Sequence, residues 1–142
     1  MQTELTNEDV HTGQAWLDGM NAAAATANIS IQMCMMNPVH TLATTLMHKV
    51  TNGRATRDNH PGQDRTNAGN GLVLGISGML HYALGIWPSR DNVWTNRSVS
   101  DHGGPEPMVE TQTLMAFLAG GPYGPSDCAG CGNRSLIMRS CR

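Results

Sequence analysis

The sequence has little charge and few aromatic side chains. Charged residues make up 14% of the 142 positions and aromatic residues 4%, and the net charge at pH 7 is -2. Soluble domains usually carry roughly 25% charged residues, so this composition indicates a loop-rich globular chain with little charged helical surface. Because the chain has no run of basic residues, neither a nucleic acid backbone nor an anionic membrane surface is an expected partner.

Long apolar runs are also missing. No stretch approaches the roughly 18 unbroken apolar residues that would span a bilayer, and the start, MQTELTNEDVHTG, lacks the basic-then-apolar pattern of an export signal. The cysteines are too few and too unevenly spaced for a disulfide framework, at Cys34, Cys128, Cys131 and Cys141. A chain of this length fits one domain with a hydrophobic core, and its composition does not indicate a compartment.

Helical and strand-like segments alternate along the chain. Apolar periodicity and capping residues predict helices at about 8–27, 40–48, 71–84 and 108–118, with a last helix from 133, and the helix at 71–84 is apolar enough to be buried. Short apolar runs predict strands at 29–36, 49–55 and 85–87, of which the first reads as buried on both faces, and 119–127 is a fourth strand candidate that leads into a strand end or turn. This alternation favours βα units around a parallel sheet. We therefore expect an α/β fold with about four parallel strands and flanking helices, either a small doubly wound domain or part of a closed barrel.

One segment runs from a predicted strand into a polar loop, VTNGRATRDNHPGQD at 50–64. Strand ends and the loops after them are where a rigid scaffold presents reactive side chains. Within it, Arg54 precedes Asp58 by four residues. An arginine so placed would keep the carboxylate ionised, or bind a polar substrate beside it by forked hydrogen bonds. The alternative is an ordinary surface ion pair.

Two sulfur-containing groups suggest metal or redox chemistry. Cys128 and Cys131 have the C-x-x-C spacing of redox motifs and of half a zinc site, but Cys141 is the only later cysteine, and two loop thiols or one local disulfide are favoured. The run MCMM at 33–36 contains ligands that suit Cu(I), but alternation along a strand would send them to two faces, which favours core packing. The chain also lacks a glycine-rich phosphate-binding motif. We therefore expect no metal and no cofactor.

Three segments occur in order along the chain: ISIQMCM at 29–35, VTNGRATRDNHPG at 50–62 and LAGGPYGPSD at 118–127. Together they resemble the C-terminal half of the catalytic barrel in the retaining α-galactosidase clan, close to raffinose synthase (galactinol-sucrose galactosyltransferase) and its uncharacterised eukaryotic relatives. The resemblance implies a partial (β/α)8 TIM barrel in which these segments are strands five, six and eight. GIWPSRD at 85–91 would then be strand seven.

The resemblance also implies roles for individual residues. Asp58 matches the general acid/base aspartate of the family. Substrate-binding positions are expected at Arg54, Cys34, Asp91, Trp94, Ser126 and Asp127. The sequence departs from the family beside the acid/base, where Arg57 and Asn59 replace an acidic residue and an aromatic residue.

The family's nucleophile is an aspartate on strand four, and no aspartate upstream of Cys34 follows a predicted strand. We therefore expect a fragment of a glycosidase-like barrel that needs a missing N-terminal half and is inactive alone, because retaining hydrolysis uses two carboxylates. The expected ligand is an α-galactoside-like carbohydrate. Two alternatives stay open: a non-catalytic carbohydrate-binding remnant that uses Trp87, Trp94 and Arg54, and a redox or metal module built on Cys128 and Cys131.

Overall fold

The computed structural model describes residues 10–59, 64–98 and 105–139, and its centre is a small parallel sheet. The strands are β1 (Ile31–Met33), β2 (Val50–Arg54) and β3 (Trp87–Ser89), in the spatial order β1-β2-β3. The helices are α1 (Val10–Ala27), α2 (Pro38–Ala43), α3 (Asp64–Ala83), α4 (Val109–Ala119) and α5 (Arg134–Arg139), with a 3-10 turn at Thr44–Leu46. The α/β class, the parallel pairing and the order of the first three predicted strands are confirmed.

The fourth predicted strand, at 119–127, is wrong. Helix α4 continues to Ala119 and ends at Gly120, whose φ of 80° is the left-handed conformation that often closes a helix. Beyond it the chain makes one isolated parallel bridge, between Val93 and Pro125. Prolines lack the backbone donor that a ladder requires, so this Gly-Pro-rich segment is a poor strand. The described sheet is therefore open and three-stranded, and a closed barrel is not seen.

The predicted helices are present, with shifted ends. Glu8, near the predicted start of α1, lies outside the described residues, and α3 begins at Asp64, well before the predicted position 71. Helix α2 has a clear local cause. The side chain of Asn37 accepts a hydrogen bond from the backbone N–H of His40 at 2.9 Å, and Pro38 fills the first helical position.

A β-bulge sets which side chains of β2 face the helices. Ile31 pairs with Val50 and Gln32 with Asn52, so Thr51 is an extra residue in β2. The bulge leaves Val50 and Gly53 on the same face of the sheet. Asn52 therefore faces the other side, in register with Gln32 and with Trp87 of β3.

The hydrophobic core lies on the face that carries Met33 and Val50. These side chains form a buried cluster with residues of α1, α2, the following turn and the segment before β3: Leu17, Ala43, Met47 and Ile86. Helix α3 covers the same face, because Gly78 lies against Pro88, the register partner of Gly53. None of the helices in the described ranges is long and apolar enough to cross a membrane.

Two predicted burial patterns are wrong. The first strand is not buried on both faces, because Gln32 is exposed and Ile31 is half-buried. Helix α3 is not a buried helix either, because it leaves Leu72, Ile76 and Met79 largely exposed. Apolar composition predicted the elements, but not how many faces the neighbouring elements cover.

Candidate functional site

Polar loops gather at the carboxyl edge of the sheet. Cys34 directly follows β1, Asp58 lies in the loop after β2, and Asp91 lies in the loop after β3. Because the strands are parallel, these loops leave the same edge, which is where ligands bind in open α/β sheets. The structure thus places these three residues at one end of the sheet.

Arg54, the last residue of β2, connects these loops. Its Nη1 lies 2.9 Å from Oδ1 of Asp58 and 3.4 Å from Oδ1 of Asp91, and its Nη2 contacts the sulfur of Met35. The arginine side chain is only 9% exposed, whereas that of Asp58 is 58% exposed. A buried cation therefore holds a carboxylate that remains open to solvent.

Asp91 is fixed from several sides. Its Oδ2 accepts a hydrogen bond from the backbone N–H of Asn59 at 2.8 Å, and its own N–H donates to Oγ1 of Thr56 at 3.1 Å. Its side chain is 23% exposed. These bonds join the β2 and β3 loops, so they fix where Asp58 can lie relative to Asp91.

The segment after α4 is held to the β3 loop by side chains. Nδ2 of Asn92 donates to Oγ of Ser126 at 2.7 Å. The carboxylate of Asp127 accepts three hydrogen bonds, from N and Oγ1 of Thr95 and from N of Asn96, at 3.0, 2.6 and 2.9 Å. Both oxygens of Asp127 are thus engaged by protein donors, which suits an anchor for the loop.

No known protein family, curated protein or solved structure matches this chain. What the carboxyl edge does must therefore follow from its own side chains.

Two other predicted site residues, Cys34 and Trp94, differ in their exposure to solvent. Cys34 is an exposed free thiol beside Met35. Trp94 is 6% exposed, and among the described residues nothing accepts a hydrogen bond from its buried indole nitrogen. The structure thus brings Asp58 and Asp91 to the same nitrogen of Arg54, whereas the ring of Trp94 is buried.

A second buried arginine lies next to the site. Arg90 is buried and donates from Nη1 to the carbonyl of Gln112 in α4 at 2.8 Å. Burial lowers the pKa of the Arg90 guanidinium to about 10, and the negative charges of Glu106 and Asp91 partly oppose this shift. Arg90 therefore ties α4 to the strand end that precedes Asp91.

Sequence reasoning missed several residues that build the site. Met35 contacts Arg54, Thr56 and Asn59 hold Asp91, and Thr95 holds Asp127. Each lies within a few residues of a strand end, and that position was the available signal. The contacts themselves depend on which strands are neighbours, which a linear pattern does not contain.

The two cysteines of the C-x-x-C motif form a disulfide, Cys128–Cys131, as the local alternative predicted. In residues 10–59, 64–98 and 105–139, no three His, Cys, Asp or Glu side chains converge as metal ligands would. Cys141 lies outside these ranges.

Proposed function

We propose that this chain supplies the acid/base portion of a retaining glycoside hydrolase or glycosyltransferase that acts on α-galactoside-like sugars. In this proposal Asp58 is the general acid/base, which donates a proton to the leaving oxygen and then accepts one from the incoming group. In this proposal the open sheet is part of a (β/α)8 barrel whose N-terminal half carries the nucleophile. The proposed substrate pocket is lined by Arg54, Cys34, Asp91, Ser126 and Asp127, whereas Trp94, which the resemblance also implied, is buried and is left out of it.

The position of Asp58 is the observation that carries the proposal. A general acid/base must reach the substrate and keep a fixed direction. Asp58 combines these properties, since its side chain is 58% exposed while Nη1 of the buried Arg54 holds one of its oxygens at 2.9 Å. It also lies at the carboxyl edge of a parallel sheet, where loops form active sites.

The other carboxylates at this edge are more constrained. Asp91 contacts the same nitrogen of Arg54 as Asp58, so the two carboxylates are neighbours. Retaining glycosidases place two carboxyl groups about 5 Å apart, one of which attacks the sugar. However, Asp91 also accepts the Asn59 N–H, and Asp127 is engaged by Thr95, so both suit positioning better than attack.

The first experiment measures turnover of a chromogenic α-galactoside by the purified chain. We expect no turnover, because general acid help is worth about 10² to 10⁴-fold and glycosidases need far more. If the chain turns the substrate over and Asp58→Asn abolishes that turnover, the nucleophile cannot lie on a missing N-terminal half, and this part of the proposal is wrong. Asp91 would then be the first candidate nucleophile, and Asp91→Asn would test it.

The second experiment measures galactoside binding by NMR titration. Arg54→Ala should abolish binding, because it removes the cation that orients Asp58. Arg97→Ala is the matched control, since Arg97 forms an exposed ion pair with Glu110 and should leave binding unchanged. Equal binding by the wild type and Arg54→Ala would contradict the proposed pocket.

Non-catalytic sugar binding is a second candidate, and one observation favours it. The Trp87 side chain is 54% exposed and faces the same side of the sheet as Asn52. An exposed indole beside amide groups suits stacking on a sugar ring. If the chain only binds sugar, Trp87→Ala would abolish sugar binding. Asp58→Asn would leave sugar binding intact, also when the missing N-terminal half of the barrel is added.

A further inference from the structure

The outward surface of α3 from residue 71 onward is apolar and uncharged. In α3, the side chains of Leu72, Ile76 and Met79 are 68, 60 and 69% exposed. Their spacing of four and three residues places them in one stripe along the helix. We call this stripe the α3 ridge.

A groove runs beside the α3 ridge, between α3 and α4. It has a volume of ≈ 410 Å³, and its floor on the α3 side is made by Gly71, Gly75 and Gly78. Met115 and Leu118 of α4 form the opposite wall. A Cβ added at Gly75 would meet no atom within 4 Å, so the groove is open at this point.

The ridge residues and the glycines of the groove floor both lie on α3, and both sets are spaced by four and three residues. Each glycine of the floor precedes a ridge residue by one position, so the two features run side by side, about 100° apart around the helix. A two-fold symmetric contact requires one surface to carry both halves of the fit. Here the ridge of one copy would enter the groove of the other, and the reverse would hold at the same time.

Charge and composition decide between possible occupants. From Thr66 to Ser89 the sequence has no Asp, Glu, Lys or Arg, so the surface offers no complementarity to an acidic or basic partner or to an anionic membrane. Outside the described ranges the sequence has three large apolar side chains, Met1, Leu5 and Val99, which is little apolar area compared with this surface.

The exposed area is near what a dimer needs. Besides the ridge, Leu80, Tyr82 and Leu118 are 49, 72 and 71% exposed on these helices. At roughly 100 Å² per side chain, these six residues offer on the order of 600 Å² per copy, close to the ~800 Å² per partner of a standard interface. The largest apolar patch on a typical monomer is about 300–600 Å² and is often functional, so this surface lies at the upper end of that range.

We propose that this face binds a second copy of the same chain, with the α3 ridge of each copy seated in the α3/α4 groove of the other. The proposal does not depend on the proposed sugar chemistry, because the face lies on helices rather than on the carboxyl edge of the sheet.

Sedimentation equilibrium over a wide concentration range tests the proposal. The wild type should be a dimer, and Ile76→Glu should raise the dimer dissociation constant by ~100-fold or more, because it buries an unpaired charge in an apolar contact. Leu46→Glu is the matched control, since Leu46 is 67% exposed in the 3-10 turn, away from this face. Its dissociation constant should equal that of the wild type.

Gly75→Leu distinguishes the specific ridge-in-groove contact from non-specific hydrophobic association. The added Cβ meets no atom within 4 Å in the monomer and leucine favours the helix, but the side chain extends into the groove that the ridge must enter. If the ridge packs in the groove, Gly75→Leu should weaken dimerisation. If the association is non-specific, the added apolar side chain should strengthen it. Circular dichroism confirms that each variant folds, and Gly75→Leu decides the question if Ile76→Glu does not fold.

Three results would overturn the proposal. One is a wild type that is monomeric at every concentration. Another is a dimer that Leu46→Glu weakens as much as Ile76→Glu does, or that Gly75→Leu leaves unchanged or strengthens. The third is a monomer that floats with uncharged phosphatidylcholine vesicles, which would assign the face to a lipid surface.

Discussion

Removing the carboxylate of Asp127 should destabilise the chain more than an ordinary surface substitution. Asp127 accepts hydrogen bonds from N and Oγ1 of Thr95 and from N of Asn96. Asp127→Ala leaves these donors without their acceptor in a partly buried place. Oγ1 of Thr95 also accepts the N–H of Asn133, so the change reaches the start of α5.

The expected magnitude follows from these three bonds. A hydrogen bond to a charged group contributes about 1.5–3 kcal/mol, but the site is partly open to water, which replaces some of the lost interaction. We expect Asp127→Ala to lower the free energy of unfolding by about 2–4 kcal/mol. Asp127→Asn keeps one acceptor oxygen and should lower it by about half as much.

Urea unfolding followed by circular dichroism measures this change. Asp18→Ala is the control, because Asp18 is exposed and accepts from the exposed side chain of Gln14, and should change the free energy by less than about 0.5 kcal/mol. A double-mutant cycle of Asp127→Ala with Thr95→Val should give a coupling of about 0.5–3 kcal/mol. A loss as small as that of the control, or no coupling, would refute the anchoring role.

Three further predictions concern single features of the fold. Gly121→Ala should lower the free energy of unfolding by about 1–3 kcal/mol, because its Cβ would lie 2.2 Å from a backbone oxygen of β3. Gly124→Ala is the control, because its Cβ would meet no atom within 4 Å. Equal melting temperatures of the two variants would contradict the clash. Dithiothreitol should reduce the Cys128–Cys131 disulfide and lower the free energy of unfolding by about 2 kcal/mol or less, which a melting temperature that does not change would disprove. Burial lowers the pKa of His81, opposed by a hydrogen bond to the backbone, so the unfolded chain binds the proton more readily and stability should fall as the pH drops below about 6.5. His81→Gln should flatten that part of the pH profile, and an unchanged slope would count against the assignment.

Apolar runs were enough to predict three of the strands, because the core face of each strand must be buried. They misplaced a fourth strand at 119–127, because LAGGPYGPSD mixes the end of an apolar helix with a Gly-Pro loop. The sequence predicted the end of this helix within one residue, at 118, but assigned the Gly-Pro segment after it to a strand. The deciding fact is the left-handed Gly120, which ends α4 there.

The contact between Arg54 and Asp58 was predictable, since the two residues are close in the sequence and follow a strand. The contact between Arg54 and Asp91 was not, because it depends on β2 and β3 being neighbours with Arg54 opposite Ser89. The same holds for Asn92 and Ser126, which are far apart in the sequence. Local pairs follow from spacing, whereas pairs between strands require the register.

The bulge in β2 makes Thr51 the one residue of that strand whose loss would not reverse the faces. Since Thr51 has no partner of its own in β1, a chain shortened at this position would keep Val50 and Gly53 toward the core and Arg54 at the carboxyl edge. Shortening β1 by one residue would instead turn Met33 outward. Natural variation in length is therefore expected to be tolerated at Thr51 and excluded from β1, even though both lie inside the sheet.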